Sequence, residues 1–301
     1  MKNFFFSKIN LFGEYGVLLG ARGLIVPFRN YYGYLTTSNL NFNKSSIKSI
    51  ELFINFLKKD KRLMMEFDWD KINSDVEKNL YFESNIPQGY GIGSSGALVA
   101  AFYKKYFIKN SFFDKDINKL KKIFIQMESY FHGNSSGYDP LTSYLNHPII
   151  INRNNTIDRV SLPISKSKKS FSIFILDSGI QKDTQFMVNL FLDRINNNSF
   201  KQIIKKEFIN NSEKCIDFFL SGNFSSFILN VKKLSYSVVE NFIPMIPKTL
   251  LSDWRYGIEN DLFFLKLCGS GGGGFFLGFT ENINQTKKYF KNHQIQIIYN
   301  F

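Results

Sequence analysis

Cysteine is scarce: Cys215 and Cys268 are the only two in 301 residues. They lie far apart and match no metal-ligand or redox spacing, which counts against a disulfide framework and leaves both thiols expected reduced and buried. No stretch reaches the ~18 unbroken apolar residues that a membrane span needs. The opening Met1-Lys2-Asn3-Phe4-Phe5-Phe6 is apolar, but Ser7-Lys8 interrupts it and Glu14 follows, so it lacks the apolar core of a signal peptide. A cytoplasmic location is the expectation. Proline is rare as well, at seven residues, and no proline-rich linker or internal repeat divides the chain. Arginine is sparse beside lysine, and no run interleaves arginine with aromatics as a nucleic-acid surface would.

What is abundant is lysine, phenylalanine and asparagine. The formal net charge is +13, yet the lysines are spread along the chain apart from short runs such as Lys166-Ser167-Lys168-Lys169. Such scatter reads as solvated surface, with a positive field for a phosphorylated or carboxylate substrate as the second reading. With 44% hydrophobic and 21% charged residues the chain is globular, and its length suits two domains.

Apolar periodicity gives a mixed α+β reading. Gly23 to Phe28 and Arg62 to Phe67 are expected as strands, with a helix from Ser46 to Lys59 between them. Gly96 to Phe107 follows a glycine-rich loop as an apolar helix. Ile117, Leu120, Phe124, Met127 and Phe131 recur at helical spacing, so Asp116 to Phe131 is expected to be helical, capped by Asp114 or Asp116. Phe171 to Leu176 reads as a buried strand. A helical region then runs to about Leu250, followed by a strand pair around Gly269 to Gly274. The domain boundary is expected near residue 168, giving domains 1–168 and 169–301.

Three segments carry chemistry. Pro87-Gln88-Gly89-Tyr90-Gly91-Ile92-Gly93-Ser94-Ser95-Gly96-Ala97 lets the backbone curl so that N–H groups share one concavity at a helix start. A helix N-terminus favours phosphate, and the hydroxyls of Ser94 and Ser95 suit phosphate oxygens or Mg²⁺. No lysine precedes Ser94, so the Walker A pattern is absent. The plain alternative is a structural strand-to-helix turn. The second segment, Ser7-Lys8-Ile9-Asn10-Leu11-Phe12-Gly13-Glu14-Tyr15, places Lys8 among apolar neighbours on a strand, facing a site or snorkelling to solvent. The third, Lys266-Leu267-Cys268-Gly269-Ser270-Gly271-Gly272-Gly273-Gly274, is too glycine-rich for ordinary packing and fits a close approach by backbone or ligand, or a glycine-rich hairpin.

Taken in chain order, from Ser7 to Pro87 to Lys266, the segments resemble the motifs of the GHMP kinases: Gly-Lys-Val-x-Leu-x-Gly-Glu-His, Pro-x-x-x-Gly-Leu-Gly-Ser-Ser-Ala and Lys-Leu-Thr-Gly-Ala-Gly-Gly-Gly-Gly. Here Ser7, Tyr15, Ile92, Gly96, Cys268 and Ser270 depart from those patterns. The resemblance spans the chain and implies a two-domain α+β GHMP kinase fold. Its N-terminal, ATP- and phosphate-binding domain would be ribosomal S5-like and its C-terminal domain ferredoxin-like. Residues Gly89, Gly91, Gly93, Ser94, Ser95, Gly96 and Ala97 would then bind ATP.

A fourth stretch runs from Glu128 through His132-Gly133-Asn134-Ser135-Ser136-Gly137-Tyr138 to Asp139. Read alone, Glu128 could be a solvated helix-end residue and Asp139 an N-cap. It is similar to the Glu, His-Gly-Asn-Pro-Ser-Gly and Asp of mevalonate kinases, with Gly137-Tyr138-Asp139 closer to a bacterial branch marked by Gly-Tyr-Asp-Ile-Ala. That likeness implies Mg²⁺ on Glu128 and Ser95, with Asp139 facing the acceptor hydroxyl beside Lys8. Glu14, His132, Gly271 and Gly272 would lie on the substrate side. Mevalonate ranks first as acceptor, then phosphomevalonate, then a sugar or amino-acid alcohol, with the related decarboxylase chemistry fourth. Phosphomevalonate would call for an arginine fork; of the few arginines Arg22 and Arg29 lie near the first motif and Arg22 could reach the substrate end, but no pair is placed by sequence to form the fork. A catalytically silent ligand-binding protein of the same fold is the non-enzyme reading, disfavoured because Lys8, Glu128 and Asp139 are all present. The expected partner is a small anionic substrate, with neither nucleic acid nor membrane, and a homodimer stays open.

Overall fold

The apolar run at the start forms β1 (Phe5–Phe12), with Ile9, Leu11 and Phe12 sealed from solvent. The expected strand at Gly23 continues to Thr37 as β2 (Gly23–Thr37), beside β1 in one sheet. The structure, a computed structural model, describes residues 2–38, 43–108, 116–164, 171–181 and 184–301. The chain separates into two compact units that interleave in sequence. The first holds Met1–Lys8, Pro27–Pro87 and Gly93–His147; the second holds Ile9–Val26, Gln88–Ile92 and Pro148–Phe301. The boundary expected near residue 168, the Lys166–Lys169 run and the alternative cap Asp114 lie outside the described residues.

In the first unit, α1 (Lys44–Lys59) is capped by the Asn43 side chain and buries Ile50, Phe53, Ile54 and Leu57 at helical spacing. The strand expected from Arg62 to Phe67 is not formed. Its first residues belong to α2 (Lys61–Met64), because the Asp60 carboxylate accepts the Leu63 N–H at 3.3 Å and caps a helical turn. Only Phe67 keeps a strand-like contact, an isolated antiparallel bridge to Phe107. α3 (Trp69–Glu77) leads to β3 (Leu80–Ser84), which pairs antiparallel with the end of β2 from Gly33↔Ser84 to Thr37↔Leu80. α4 (Ser94–Tyr106) is buried nearly all round, with Ala97, Val99, Ala100 and Phe102 inaccessible. α5 (Ile117–His132) matches the expected helix, and Asp116 caps it by accepting the Asn118 and Lys119 N–H groups. α6 (Tyr138–Leu145) completes the unit, with Thr142 and Ser143 buried at its end.

In the second unit, the opening of β2 pairs with β4 (Ile149–Ile151), and β4 with β5 (Ile157–Arg159), both antiparallel. β6 (Ser172–Asp177) is the buried strand expected at Phe171. It shows no alternation because both of its faces are covered, Ser172 to Leu176 being buried without a break, while other strands pair with both of its edges. The helical stretch is α7 (Thr184–Ile195), α8 (Asn198–Ile203), a π-helical turn at Ile204–Ile209, α9 (Asn210–Leu220), α10 (Phe224–Asn241) and α11 (Lys248–Glu259). β7 (Phe264–Leu267), β8 (Phe275–Thr280), α12 (Ile283–Tyr289) and β9 (Ile295–Asn300) follow, and the second sheet has the antiparallel order β7–β8–β6–β9. Trp254 anchors α11 on α10, donating its indole N–H to Ser235 Oγ at 2.8 Å. Cys215 and Cys268 are buried and unbridged, as expected. Among the described residues no helix is long and apolar enough to cross a membrane.

Candidate active site

Gly93 sets the direction in which α4 begins. Its φ of 82° lies in the left-handed region that glycine tolerates, and it stands at the helix N-cap. The opening turn therefore presents the backbone N–H groups of Ser94, Ser95 and Gly96 at the N-terminal end of the helix, whereas the Ala97 N–H, expected among them, donates to the Gly93 carbonyl at 3.0 Å. The positive end of the helix dipole adds to their attraction for an anion. A Cβ on Gly93 would sit 3.0 Å from Lys8 Cγ and 3.5 Å from Asp139 Oδ2, so the start of α4 lies directly against both residues.

Lys8 does not snorkel to solvent. Its side chain is 4% exposed, and its Nζ lies 3.0 Å from Asp139 Oδ2, whose own side chain remains 28% exposed. Asp139 is in the first turn of α6, two positions past the N-cap Gly137, so the N-cap reading of this residue does not hold. Glycine at position 96 lets α6 approach closely: a Cβ there would meet the Asp139 carbonyl carbon at 2.7 Å and the Pro140 nitrogen at 2.8 Å. Glu128 is likewise no solvated helix end, being 3% exposed near the C-terminus of α5. Its Oε1 accepts a hydrogen bond from Ser95 Oγ at 3.3 Å, and its Oε2 accepts one from Ser135 Oγ. Burial pushes the Glu128 carboxyl up to about 8, and the Asp139 charge adds to the rise. Hydrogen bonds from Ser135 and Ser95 and the charge of Lys8 oppose it.

The first unit thus brings Lys8, Gly93, Ser94, Ser95, Gly96, Ala97, Glu128 and Asp139 into one neighbourhood. His132 closes α5, but its side chain lies outside the described residues. Ser135 has no role legible in the sequence, because a serine in a Gly-Asn-Ser turn carries no signal of what its hydroxyl meets.

The second unit holds the other expected site residues. Gly89 and Gly91 have φ of 78° and 75°. The turn after β7 is packed against backbone: Gly272 N–H donates to the Met245 carbonyl at 2.6 Å, and a Cβ on Gly271 would lie 2.8 Å from that oxygen. A Cβ on Gly274 would meet Tyr90 backbone at 2.9 Å. The close approach inferred for this glycine run is thus made by protein backbone at Gly271, Gly273 and Gly274 and by the Met187 side chain at Gly272. Glu14 is also enclosed. Its Oε1 accepts from Lys266 Nζ, and both side chains are 2% exposed. Lys266 Nζ also donates to the Leu267 carbonyl at 2.9 Å. Burial lowers the Lys266 ammonium to about 7, with the nearby Cys268 opposing. Tyr15, which departs from the histidine of the motif, donates its hydroxyl to the Ser270 carbonyl at 2.6 Å and stacks on Phe191 at 4.4 Å. It braces the glycine-rich turn. Arg22, the candidate for a substrate phosphate, pairs instead with Asp217 at 2.6 Å, and Arg153 pairs with Glu213.

Residues 55–147 match the family model of the GHMP kinases N terminal domain. No curated protein sequence matches the chain. Solved structures similar to it include L. major mevalonate kinase in complex with R-mevalonate, at 16% identity and TM-score 0.65, covering 97% of this chain and 90% of that one. Streptococcus pneumoniae phosphomevalonate kinase in complex with phosphomevalonate and AMPPNP is similar at 15% identity and TM-score 0.62, covering 100% and 99%. Lactococcus lactis galactokinase complexed with galactose is similar at 14% identity and TM-score 0.64, covering 98% and 92%. At these identities the likeness is one of fold. The chain carries a GHMP kinase N-terminal domain and has the α+β fold of the GHMP kinases.

Proposed function

We propose that this protein is an ATP-dependent kinase of a small anionic alcohol, with mevalonate as the first-ranked acceptor. The observation that carries the reading is the Lys8–Asp139 pair set against the start of α4, with Glu128 buried beside Ser95. Phosphoryl transfer needs positioning and charge stabilisation more than covalent help from the protein, and this set supplies both. N–H groups of Ser94, Ser95 and Gly96 hold phosphate oxygens. The partly exposed Asp139 carboxylate accepts the acceptor hydroxyl's proton or aligns that hydroxyl, and Lys8 fixes its position.

Glu128 fits a Mg²⁺ ion. A carboxylate this enclosed, raised by burial and by Asp139, gains its charge most easily when a cation arrives. Among the described residues no cluster of three or more His, Cys, Asp or Glu forms a cation cage. One carboxylate plus hydroxyl and phosphate oxygens is the usual Mg²⁺ arrangement in such sites. Bound there by Glu128 and Ser95, Mg²⁺ would supply charge neutralisation at the transferring phosphate.

Mevalonate ranks above phosphomevalonate because Arg22 and Arg153 are engaged by Asp217 and Glu213, leaving neither for an added phosphate. A coupled ADP-release assay against mevalonate, phosphomevalonate, homoserine and galactose tests the proposal. Turnover with mevalonate is expected. A kcat/KM for phosphomevalonate about tenfold or more higher would overturn the acceptor, and no release with any of them would favour a silent ligand-binding protein.

A further inference from the structure

Glu128 meets two hydroxyls, one at each carboxylate oxygen. Ser95 donates to Oε1 at 3.3 Å, a long bond, and Ser135 donates to Oε2. The Ser135 hydroxyl is itself fixed, because its oxygen accepts the Gly137 N–H at 2.9 Å. With that acceptor site filled, its single proton is directed at Glu128. The terminal torsion of a glutamate is broad and roughly two-fold, so an untethered carboxylate would sample many planes. We infer that Ser135 is a positioning residue of the cation site: it tethers Oε2 so that Oε1 stays turned toward Ser95 and the opening of α4. The tether is charge-assisted and strongest when Glu128 is ionised, the state a cation requires. Such outer partners of a metal ligand orient it and sharpen its affinity. The mevalonate kinase pattern has proline at this place, which could not donate such a bond, so the tether is a feature of this chain's own sequence.

The inference rests on the proposed metal site, and one experiment separates the two. Mn²⁺ binding to the full chain with AMPPNP is measured from the EPR signal of free Mn²⁺, for wild type, Glu128→Gln, Ser135→Ala and Ser135→Thr, with thermal unfolding in parallel. Ser135→Ala is expected to weaken Mn²⁺ about tenfold or more, and Ser135→Thr to restore it to within about threefold of wild type. Ser135 is half-buried, so unfolding temperatures should stay close together. If Glu128→Gln weakens Mn²⁺ while Ser135→Ala binds as wild type does, the tether is refuted and the metal site stands. Equal loss in the alanine and threonine variants also refutes it, since a hydroxyl would then be irrelevant. If Ser135→Ala unfolds, the threonine and glutamine variants still decide. Wild-type binding unaffected by Glu128→Gln overturns both readings.

Discussion

Each unit contains a buried lysine paired with a carboxylate, and these two pairs differ in what surrounds them. Lys266 and Glu14 are enclosed at 2% exposure each, beneath a glycine turn braced by Tyr15 and the Met245 carbonyl. Lys8 is nearly as enclosed, but its partner Asp139 keeps 28% exposure and borders the start of α4. A sealed pair can organise a fold and cannot meet a substrate. A pair open on its acidic side can do both. Both lysines and Glu14 come from the kinase-like motifs, so membership of a motif does not say which pair does chemistry.

The comparison breaks first at Asp139. Asp139→Asn is expected to lower kcat by about 10²–10⁴ while leaving nucleotide affinity little changed. Steady-state kinetics with the best acceptor checks this, and near-normal turnover would move the chemistry elsewhere. Lys266→Met should act on stability instead. Removing one member of a buried pair costs about 3–5 kcal/mol, and here it would strand Glu14, whose Oε2 already has no hydrogen-bond partner. Chemical denaturation reads the loss, and a change under ~1 kcal/mol would show that the pair is not what holds this region.

A smaller effect is expected from Gly96→Ala, although alanine is what the family pattern carries there. The added methyl would press on the Asp139 backbone and Pro140, costing about 1–3 kcal/mol as overpacking. By shifting Asp139 it should lower kcat by up to about 10²-fold. A variant with unchanged melting and rate would show that α6 can yield. The smallest effect concerns the Arg153–Glu213 pair of the second unit. The Arg153 hydrogen bond, helped by the Arg22 N–H and opposed by burial, holds Glu213 below its ordinary 4.5. A carboxylate depressed in the folded state stabilises above its unfolded pKa and loses that contribution as pH falls through the folded one. Glu213→Gln should therefore be less stable than wild type at pH 7, with the gap closing below about pH 4.5. A gap independent of pH would mean that the ion pair contributes nothing.

Much of the first unit is legible in local sequence. The glycine spacing in 87–97 announces the start of α4, and apolar periodicity with Asp116 announces α5 and its cap. These features depend on residues within one or two helical turns of each other. The strand expected at Arg62 fails for a local reason too, since the Asp60 cap outweighs the apolar run that suggests extension.

By itself, then, the sequence determined which residue types were available and which local backbone shapes they favour: a left-handed glycine before a helix, an Asp cap, a glycine run after a strand. Partner choice was decided only by the tertiary structure. Glu14 reads as a substrate residue within its motif, whereas Lys266, 252 positions away, takes its carboxylate. Gly96 reads as a mild change of a phosphate loop, whereas packing makes it the clearance for α6. Ser135 carries no local signal, and it is the path of the turn after α5 that sets its hydroxyl on Glu128. Periodicity and capping are short-range and leave a mark on neighbouring residues. Register and helix crossing join distant residues and leave none in either partner's local sequence.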